Sequence, residues 1–181
     1  MAYTLEQIAS FVGARLCGCQ NKAMKIGRLL TDSRSLCFPE STLFFALETE
    51  RNDGHKYIND LYKRGVRAFV VSRLQDEWTT LTDATFLQVV SPIRALQRLA
   101  ERHRESFDIP IIGITGSNGK TVVKEWLYQL LSKDSVVTRS PRSYNSQIGV
   151  PLSVWLLRNE STLGIFEAGI SQCGEMEKLQ P

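Results

Sequence analysis

Residues 109–123 read Ile109-Pro-Ile-Ile-Gly-Ile-Thr-Gly-Ser-Asn-Gly-Lys-Thr-Val-Val123. The first part of this segment is rich in β-branched residues, which is typical of a buried parallel strand. A glycine-rich turn, Gly116-Ser-Asn-Gly119, follows it. Beyond Lys120 apolar residues recur at three- and four-residue steps, as they do in a helix: Val122, Val123, Trp126, Leu127, Leu130 and Leu131. A strand, a glycine-rich turn, Lys-Thr and a helix, in that order, predict a phosphate-binding loop within an α/β fold.

The residue types of this loop suit the phosphates of a nucleotide. Glycines let successive N–H groups point into one concavity, and the helix N-terminus adds the positive end of its dipole. A lysine side chain can reach the terminal phosphates, and a threonine hydroxyl can bind Mg²⁺. We therefore predict phosphate binding by Gly116, Ser117, Asn118, Gly119, Lys120 and Thr121. The general P-loop pattern requires glycine at position 114, which is Ile114 here, so an ordinary helix-capping turn is the alternative.

Composition limits the class of protein. The chain has 181 residues, 43% hydrophobic content and a net charge of +3, which fits one large or two small globular domains and gives no sign of a nucleic-acid partner. Four cysteines without metal-ligand spacing favour reduced thiols over zinc. No apolar run approaches the ~20 residues of a membrane span, and no signal-peptide pattern is present. We therefore expect a soluble, cytoplasmic protein.

The first 90 residues predict a small α/β domain. Thr4 and Gln7 have the spacing of a capping box, at the start of a helix that Gly13 ends. Strands are predicted at residues 16–19, 25–30, 42–47, 68–72 and 85–90, with a helix around residues 57–62. Pro92 suits the first turn of a helix over 92–107. The predicted domains are therefore 1–90 and 91–181. Glutamates interleave with the arginines of this helix, which favours a solvated face over a basic ligand face.

The second domain predicts a parallel sheet. Beyond the phosphate-binding loop and its helix, strands are predicted at residues 135–138 and 163–167, and helices at 152–157 and 174–179. Three strands alternating with helices are the first part of a doubly wound parallel sheet. The chain stops at residue 181, before such a sheet would be complete, so we expect this domain to be truncated.

A carboxylate follows the strand at residues 163–167. Because ligands collect at the carboxyl ends of parallel strands, we expect Glu167 to lie across from Lys120 and Thr121. There it would hold Mg²⁺ with Thr121, directly or through water. A surface carboxylate at a strand end is the alternative.

Two other segments carry polar side chains suited to a ligand. Ser143-Tyr144-Asn145-Ser146-Gln147 follows the second predicted strand, at the same edge of the sheet, although such a composition is also that of an ordinary loop. Asp32-Ser33-Arg34 offers a hydroxyl and a guanidinium that suit a second phosphate group. The latter segment is equally consistent with a turn and a surface ion pair.

Together these motifs resemble the Mur ligase family, the ATP-dependent amide-forming enzymes that build the peptidoglycan stem peptide. The family has its own variant of the phosphate-binding loop, which accounts for Ile114. The resemblance covers nearly all of the chain, and its motifs in order are Asp32-Ser33-Arg34, Phe44-Phe45-Ala46-Leu47, Asp53-Gly54-His55, residues 113–121, Asn145 and Ile148-Gly149-Val150-Pro151.

Glu167-Ala168-Gly169, followed by Gly174-Glu175, resembles the members that add D-alanyl-D-alanine to UDP-N-acetylmuramoyl-tripeptide. Members that add the third residue of the peptide are the alternative. Two departures point to a divergent subgroup, for which a form fused to an alanine racemase is one candidate. Ser146 stands where the family usually has a second asparagine, and Ser171-Gln172-Cys173 stands where Asn-His is usual.

The resemblance implies a chemistry and a set of roles. ATP would phosphorylate the terminal carboxylate of the tripeptide, and the amine of D-alanyl-D-alanine would attack the resulting acyl phosphate. Lys120 and Glu167 would be the catalytic side chains, and Thr121 and Glu167 would hold Mg²⁺. Substrate would be bound by Ser33, Arg34, Asn145 and Ser146.

In this family the central domain is longer and a third domain follows it, and these carry the adenine contacts, a carbamylated lysine and the site for the amine. We therefore expect residues 1–181 to bind nucleotide weakly and to be inactive alone. The rival interpretations are a non-catalytic P-loop module and a small kinase, neither of which needs a site for uridine nucleotides.

Overall fold

The computed structural model describes residues 2–50 and 52–169. Contacts divide the chain into two compact units, Met1–Arg98 and Leu99–Pro181. The division falls within the helix at Pro92–Arg104, later than the boundary predicted after residue 90.

The elements of the first unit are β1 (Tyr3–Thr4), α1 (Leu5–Val12), β2 (Arg15–Gly18), β3 (Lys25–Ile26), β4 (Arg28–Leu30), β5 (Thr42–Phe45), β6 (Glu48–Thr49), β7 (Asn52–Asp53), α2 (Ile58–Lys63), β8 (Ala68–Val71), β9 (Thr85–Gln88) and the first half of α3 (Pro92–Arg104). The unit is built on a five-stranded sheet with the order β2-β9-β8-β5-β4, in which β2 is antiparallel to β9 and the other pairs are parallel. Two small antiparallel pairs, β1 with β3 and β6 with β7, accompany it.

The predicted capping box at the start of α1 is confirmed. The Gln7 N–H donates to Thr4 Oγ1 at 3.3 Å, and the Thr4 N–H donates to Gln7 Oε1 at 2.9 Å. Gly13 ends the helix with φ 65°, in the left-handed region that glycine occupies at little cost.

The single strand predicted over residues 25–30 is wrong. Lys25 and Ile26 pair with β1, whereas Arg28–Leu30 pairs with β5 in the main sheet. Gly27 separates the two strands, and its N–H donates to the Ser41 carbonyl instead. The partners of the two strands lie at distant positions in the sequence, Tyr3–Thr4 for one and residues 42–44 for the other, so the local pattern did not reveal the change.

Parallel strands β5 and β8 lie at the centre of the main sheet and are buried along their whole length. Their inward side chains form the core of the first unit with α2 and the segment around Trp78. The buried members of this cluster are Leu30, Phe44, Ala46, Ile58, Leu61, Val66, Phe69, Val71, Trp78, Ala84 and Phe86.

The elements of the second unit, as far as residue 169, are β10 (Ile111–Ile114), α4 (Lys120–Leu131), β11 (Val137–Arg139), α5 (Gly149–Val154) and β12 (Leu163–Glu167). Within this range the strands form a three-stranded parallel sheet with the order β10-β12-β11, which confirms the predicted parallel pairing. Strand β12 lies in the middle and is buried throughout. The helix predicted at residues 174–179 lies outside the described residues.

Helix α5 begins three residues before the predicted helix at 152–157. Pro151 falls in its first turn, where a missing N–H is harmless. The Ser146 hydroxyl accepts a hydrogen bond from the Gly149 N–H at 3.1 Å, which supports the earlier start. The prediction missed this start because glycine and proline, here Gly149 and Pro151, are unfavourable within a helix.

Side chains on the two faces of β12 pack against different elements. Leu163 and Ile165 pack with Ile114, and partly buried Leu127 and Leu131 of α4 lie against them. Phe166 packs with Phe107 and Leu157 in a separate cluster. The other apolar residues of α4 are exposed by 43–68%: Val122, Val123, Trp126 and Leu130. In the described part of the chain, no helix has the length and apolar content of a membrane-spanning segment.

Candidate functional site

The loop between β10 and α4 has the backbone that its glycines predict. Gly116 has φ 135° and Gly119 has φ 76°, backbone angles that residues with a Cβ rarely adopt. Gly119 precedes α4 and offers no capping side chain. The first N–H groups of α4 therefore have no side-chain acceptor in the loop, which is the arrangement that favours an anion at a helix N-terminus.

Lys120 begins α4 and lies over this loop. Its ammonium donates a hydrogen bond to the Gly116 carbonyl at 2.5 Å. The contact places a positive charge beside the loop N–H groups, so loop and side chain together form a site for negative charge.

Glu167, the last residue of β12, is buried with only 1% exposed, so it is not a surface carboxylate. The Thr121 hydroxyl donates to Glu167 Oε2 at 2.9 Å, and the Asn145 side-chain amide donates to Glu167 Oε1 at 2.9 Å. The register of the sheet explains why Glu167 lies near Thr121, because Glu167 is paired with Ile114, the last residue of β10 before the loop. Three distant parts of the sequence thus converge on one carboxylate.

A cleft of about 300 Å³ lies at this end of the sheet. Its lining combines the loop, the first turn of α4 and polar side chains that follow β11 and end β12. The lining residues are Ser117, Asn118, Gly119, Lys120, Thr121, Val122, Ser143, Asn145 and Glu167. Backbone N–H groups, one ammonium, three hydroxyl groups, two side-chain amides and one carboxylate therefore line one space. This combination suits a phosphate group together with a hard cation.

Lys124 belongs to this site and was missed by the sequence analysis. Its side chain is fully buried, and its Nζ lies 3.5 Å from Glu167 Oε2 and 3.6 Å from Glu125 Oε1. The ammonium also donates to the Arg142 carbonyl. The available signal was spacing, because Lys124 follows Thr121 by three residues and so shares its face of the helix.

The loop after β11 is held against the end of β12. The Gly169 N–H donates to the Asn145 carbonyl at 2.7 Å. A Cβ on Gly149 would lie 2.8 Å from the Tyr144 carbonyl carbon, so only glycine allows α5 to approach this closely. Ser146 hydrogen-bonds to Gly149 and does not line the cleft. The structure thus brings Asn145, but not Ser146, to Glu167.

The predicted substrate residues of the first unit form a short turn. Asp32 caps a 3-10 helix at Ser33–Ser35 through a hydrogen bond from the Arg34 N–H to Oδ1 at 3.0 Å. The Arg34 guanidinium binds the same carboxylate, with Nη2 2.7 Å from Oδ2, and these hydrogen bonds lower the pKa of Asp32. The Ser33 carbonyl accepts from Arg64 at 2.8 Å. The structure therefore shows both the turn and the surface ion pair that the sequence allowed.

Asp53-Gly54-His55 has a structural role in the first unit. His55 is buried, its Nδ1 lies 2.7 Å from Asp53 Oδ1, and its Nε2 lies 3.2 Å from the Ser72 N–H. A backbone N–H only donates, so in the neutral ring Nε2 accepts and Nδ1 carries the proton. A Cβ on Gly54 would lie 2.7 Å from the Leu47 nitrogen, which explains the glycine.

Glu48, Asp53 and His55 also have ligand atoms within 4.8 Å of one another, a spacing that a metal ion could use. Arg73 binds both carboxylates, with Nη1 at Glu48 Oε1 and Nη2 at Asp53 Oδ2, each at 2.5 Å. One guanidinium thus already pairs with both carboxylates and offsets one of their two negative charges.

Two family models match the chain, and they do so in separate segments. The model described as "Mur ligase family, catalytic domain" matches residues 25–104, and the "Mur ligase middle domain" matches residues 114–181. The UDP-N-acetylmuramoyl-tripeptide–D-alanyl-D-alanine ligase of Treponema pallidum is 34% identical over 181 residues, or 96% of this chain. The chain belongs to the Mur ligase family.

Solved Mur ligases share the fold. The UDP-N-acetylmuramoylalanyl-D-glutamyl-2,6-diaminopimelate–D-alanyl-D-alanyl ligase of Acinetobacter baumannii superimposes with a TM-score of 0.89 and 28% identity, covering 100% of this chain and 40% of its own. The MurF ligase of Thermotoga maritima in complex with ADP has a TM-score of 0.71 and 28% identity, covering 84% of this chain and 34% of its own. This Mur ligase chain also spans 39% of the Treponema pallidum relative.

Proposed function

We propose that the chain is the part of an ATP-dependent ligase that binds the nucleotide and the UDP-linked substrate. The complete enzyme would add D-alanyl-D-alanine to UDP-N-acetylmuramoyl-tripeptide in the cytoplasm, during the synthesis of peptidoglycan precursors. The observation that carries the proposal is the convergence of Thr121, Asn145 and Glu167 beside a phosphate-binding loop. Relatives with this activity support it along nearly the whole of the chain.

The loop at residues 116–119 would bind the phosphates of ATP through its N–H groups. Lys120 would leave the Gly116 carbonyl to neutralise charge on the β- and γ-phosphates. A solved relative in complex with ADP supports an adenine nucleotide as the ligand. The tripeptide carboxylate and the γ-phosphate of ATP are both anions. Transfer of the phosphoryl group therefore requires that their negative charges be compensated and that the two groups be oriented towards each other.

The site fits a magnesium ion, because a hydroxyl oxygen and a carboxylate oxygen 2.9 Å apart are hard donors of the kind that Mg²⁺ prefers. Thr121 and Glu167 would hold it. A bound Mg²⁺ would neutralise charge on the transferring phosphoryl group. Asn145 would keep the carboxylate oriented and would also contribute to substrate binding, whereas Ser146, whose hydroxyl accepts from the Gly149 N–H away from the cleft, would support the start of α5.

Ser33 and Arg34 would bind the uridine diphosphate end of the substrate. The Arg34 side chain is 88% exposed, and its ion pair with Asp32 lies at the surface. Exposed ion pairs contribute little to stability, so a diphosphate could replace Asp32 at small cost. Binding energy gained far from the reacting carboxylate would then orient that carboxylate.

Calorimetry on the 181-residue chain tests both parts of the proposal. We expect MgADP to bind the wild type and to lose at least about tenfold in affinity in Lys120→Ala, because a charge-assisted contact is removed. UDP-N-acetylmuramoyl-tripeptide should bind and lose affinity in Arg34→Ala. The exposed Arg158→Ala is the matched control for both ligands.

Nucleotide binding without any binding of the UDP-linked substrate would favour a non-catalytic P-loop module. Nucleotide binding that Lys120→Ala leaves unchanged would contradict the proposal.

A further inference from the structure

Lys124 carries a positive charge that lies inside the second unit. Its side chain has no exposed surface, and it contacts two carboxylates and one carbonyl, from Glu167, Glu125 and Arg142. A buried charge is costly unless ionised and hydrogen-bonding partners surround it, and an apolar side chain of similar volume is often as stabilising as the pair. Packing alone therefore does not require an ammonium at this position.

The first effect of the ammonium is on Glu167. Lys124 and Thr121 both lie at Glu167 Oε2, at 3.5 and 2.9 Å, while Asn145 donates to Oε1. The carboxylate is thus held from three sides by groups on two elements.

The second effect is on the loop that carries Ser143 and Asn145. Arg142 has φ 48°, in the left-handed region that a residue with a Cβ occupies at a cost. The Lys124 ammonium donates to the Arg142 carbonyl and so fixes the loop just before Ser143 and Asn145. One side chain of α4 therefore holds both the carboxylate and the loop that orients it.

We propose that Lys124 is a positioning residue that sets the affinity of the site for magnesium in the nucleotide complex. It does not touch the cleft, and it acts through Glu167 and through the loop at residues 142–145. The proposal rests on the proposed function, because it presupposes that Thr121 and Glu167 hold Mg²⁺. Partners that orient metal ligands in this way commonly change metal affinity by 10- to 100-fold when they are removed.

The test compares ADP binding with Mg²⁺ and in EDTA, measured by calorimetry on the 181-residue chain. In the wild type we expect Mg²⁺ to tighten ADP binding. In Lys124→Met the gain from Mg²⁺ should fall roughly tenfold, while ADP affinity in EDTA stays within about twofold, because the loop and Lys120 are intact. Lys133→Met, which replaces an exposed lysine just beyond α4, should keep the wild-type gain.

Circular dichroism shows whether each variant is folded. If Lys124→Met does not fold, Lys124→Gln is used, because it is one atom shorter than lysine, lacks the charge and still carries an N–H donor for the buried site. An equal loss of affinity with and without Mg²⁺, or an unchanged gain from Mg²⁺, would overturn the positioning role. A wild type without Lys120-dependent ADP binding would instead overturn the proposed function, and this inference with it.

Discussion

His103 shows how one residue makes the fold sensitive to pH. Only 1% of the residue is exposed, and its ring lies 4.7 Å from that of Trp155 and 4.9 Å from that of Phe107, centroid to centroid. Burial lowers the pKa of His103 from 6.5 to about 4, although the hydrogen bond to the Leu157 carbonyl acts in the opposite direction. The folded chain therefore holds this imidazole neutral at pH values where the unfolded chain protonates it.

The sign of the resulting pH dependence follows from linkage. Between pH 6.5 and about 4 the unfolded chain binds the His103 proton and the folded chain does not. The stabilisation is complete above pH 6.5 and is lost as the pH falls towards 4, by about 2.5 kcal/mol at pH 4.5. Between pH 7.5 and pH 4.5 the free energy of urea unfolding should therefore fall by about 2.5 kcal/mol less in His103→Leu than in the wild type. Equal changes in the two proteins would contradict the assignment.

At the scale of elements, the approach of α5 to the loop at residues 143–145 links packing to the site. A Cβ on Gly149 would meet the backbone of Tyr144, at 2.8 Å from its carbonyl carbon and 2.9 Å from its Cα. Backbone cannot move aside as a side chain can, so the loop would have to shift. The amide of Asn145, the next residue, would then lose its 2.9 Å contact with Glu167.

Gly149→Ala should therefore weaken both folding and MgADP binding. We expect a loss of about 1–3 kcal/mol in the free energy of unfolding, as for other overpacked sites, and a several-fold loss of nucleotide affinity. Gly113→Ala is the control, because a Cβ there meets no atom within 4 Å. Urea unfolding and calorimetry measure the two effects. If Gly149→Ala were as stable as Gly113→Ala, the loop at residues 143–145 could shift without cost, and the prediction would be wrong.

Local apolar patterns predict single strands and helices, whereas contacts between distant residues are decided by the fold. Strand β12 was predicted with its observed bounds, because its apolar run ends in a carboxylate. The break at Gly27 was not predicted, since it depends on which distant strand each residue pairs with. Lys124 was missed because a lysine in an amphipathic helix is expected at the surface. Its partners, Glu167 and the Arg142 carbonyl, are distant in the sequence. Pairings between distant residues, such as Asn145 with Glu167, depend on sheet order.

For the whole molecule, the two compact units carry separate predicted sites. The phosphate-binding loop and Glu167 lie in the second unit, and Asp32-Ser33-Arg34 lies in the first, each unit having its own buried cluster. We propose that residues 1–90 bind the UDP-linked substrate and that residues 91–181 bind ATP. If so, the UDP-linked substrate should stabilise only the first unit, and the adenine nucleotide should stabilise only the second.

Hydrogen exchange measures such stabilisation along the chain. MgADP should slow amide exchange in α4 and β12 and leave β5 and β8 unchanged, whereas UDP-N-acetylmuramoyl-tripeptide should slow exchange around residues 32–35. Lys120→Ala should remove the first effect and keep the second. Slower exchange in β5 and β8 on addition of MgADP would contradict separate sites.

The three tryptophans give the molecule distinct optical reporters. Trp78 is 3% exposed in the core of the first unit, Trp155 is 8% exposed in the second, and Trp126 stands 64% exposed on the outer face of α4. A buried indole emits at shorter wavelength than a hydrated one and is shielded from collisional quenchers such as iodide. The red, quenchable part of the fluorescence therefore belongs to Trp126. With Trp126 replaced by phenylalanine, one buried tryptophan remains in each unit, and a red shift of the emission in two steps on heating would show that the two units unfold separately.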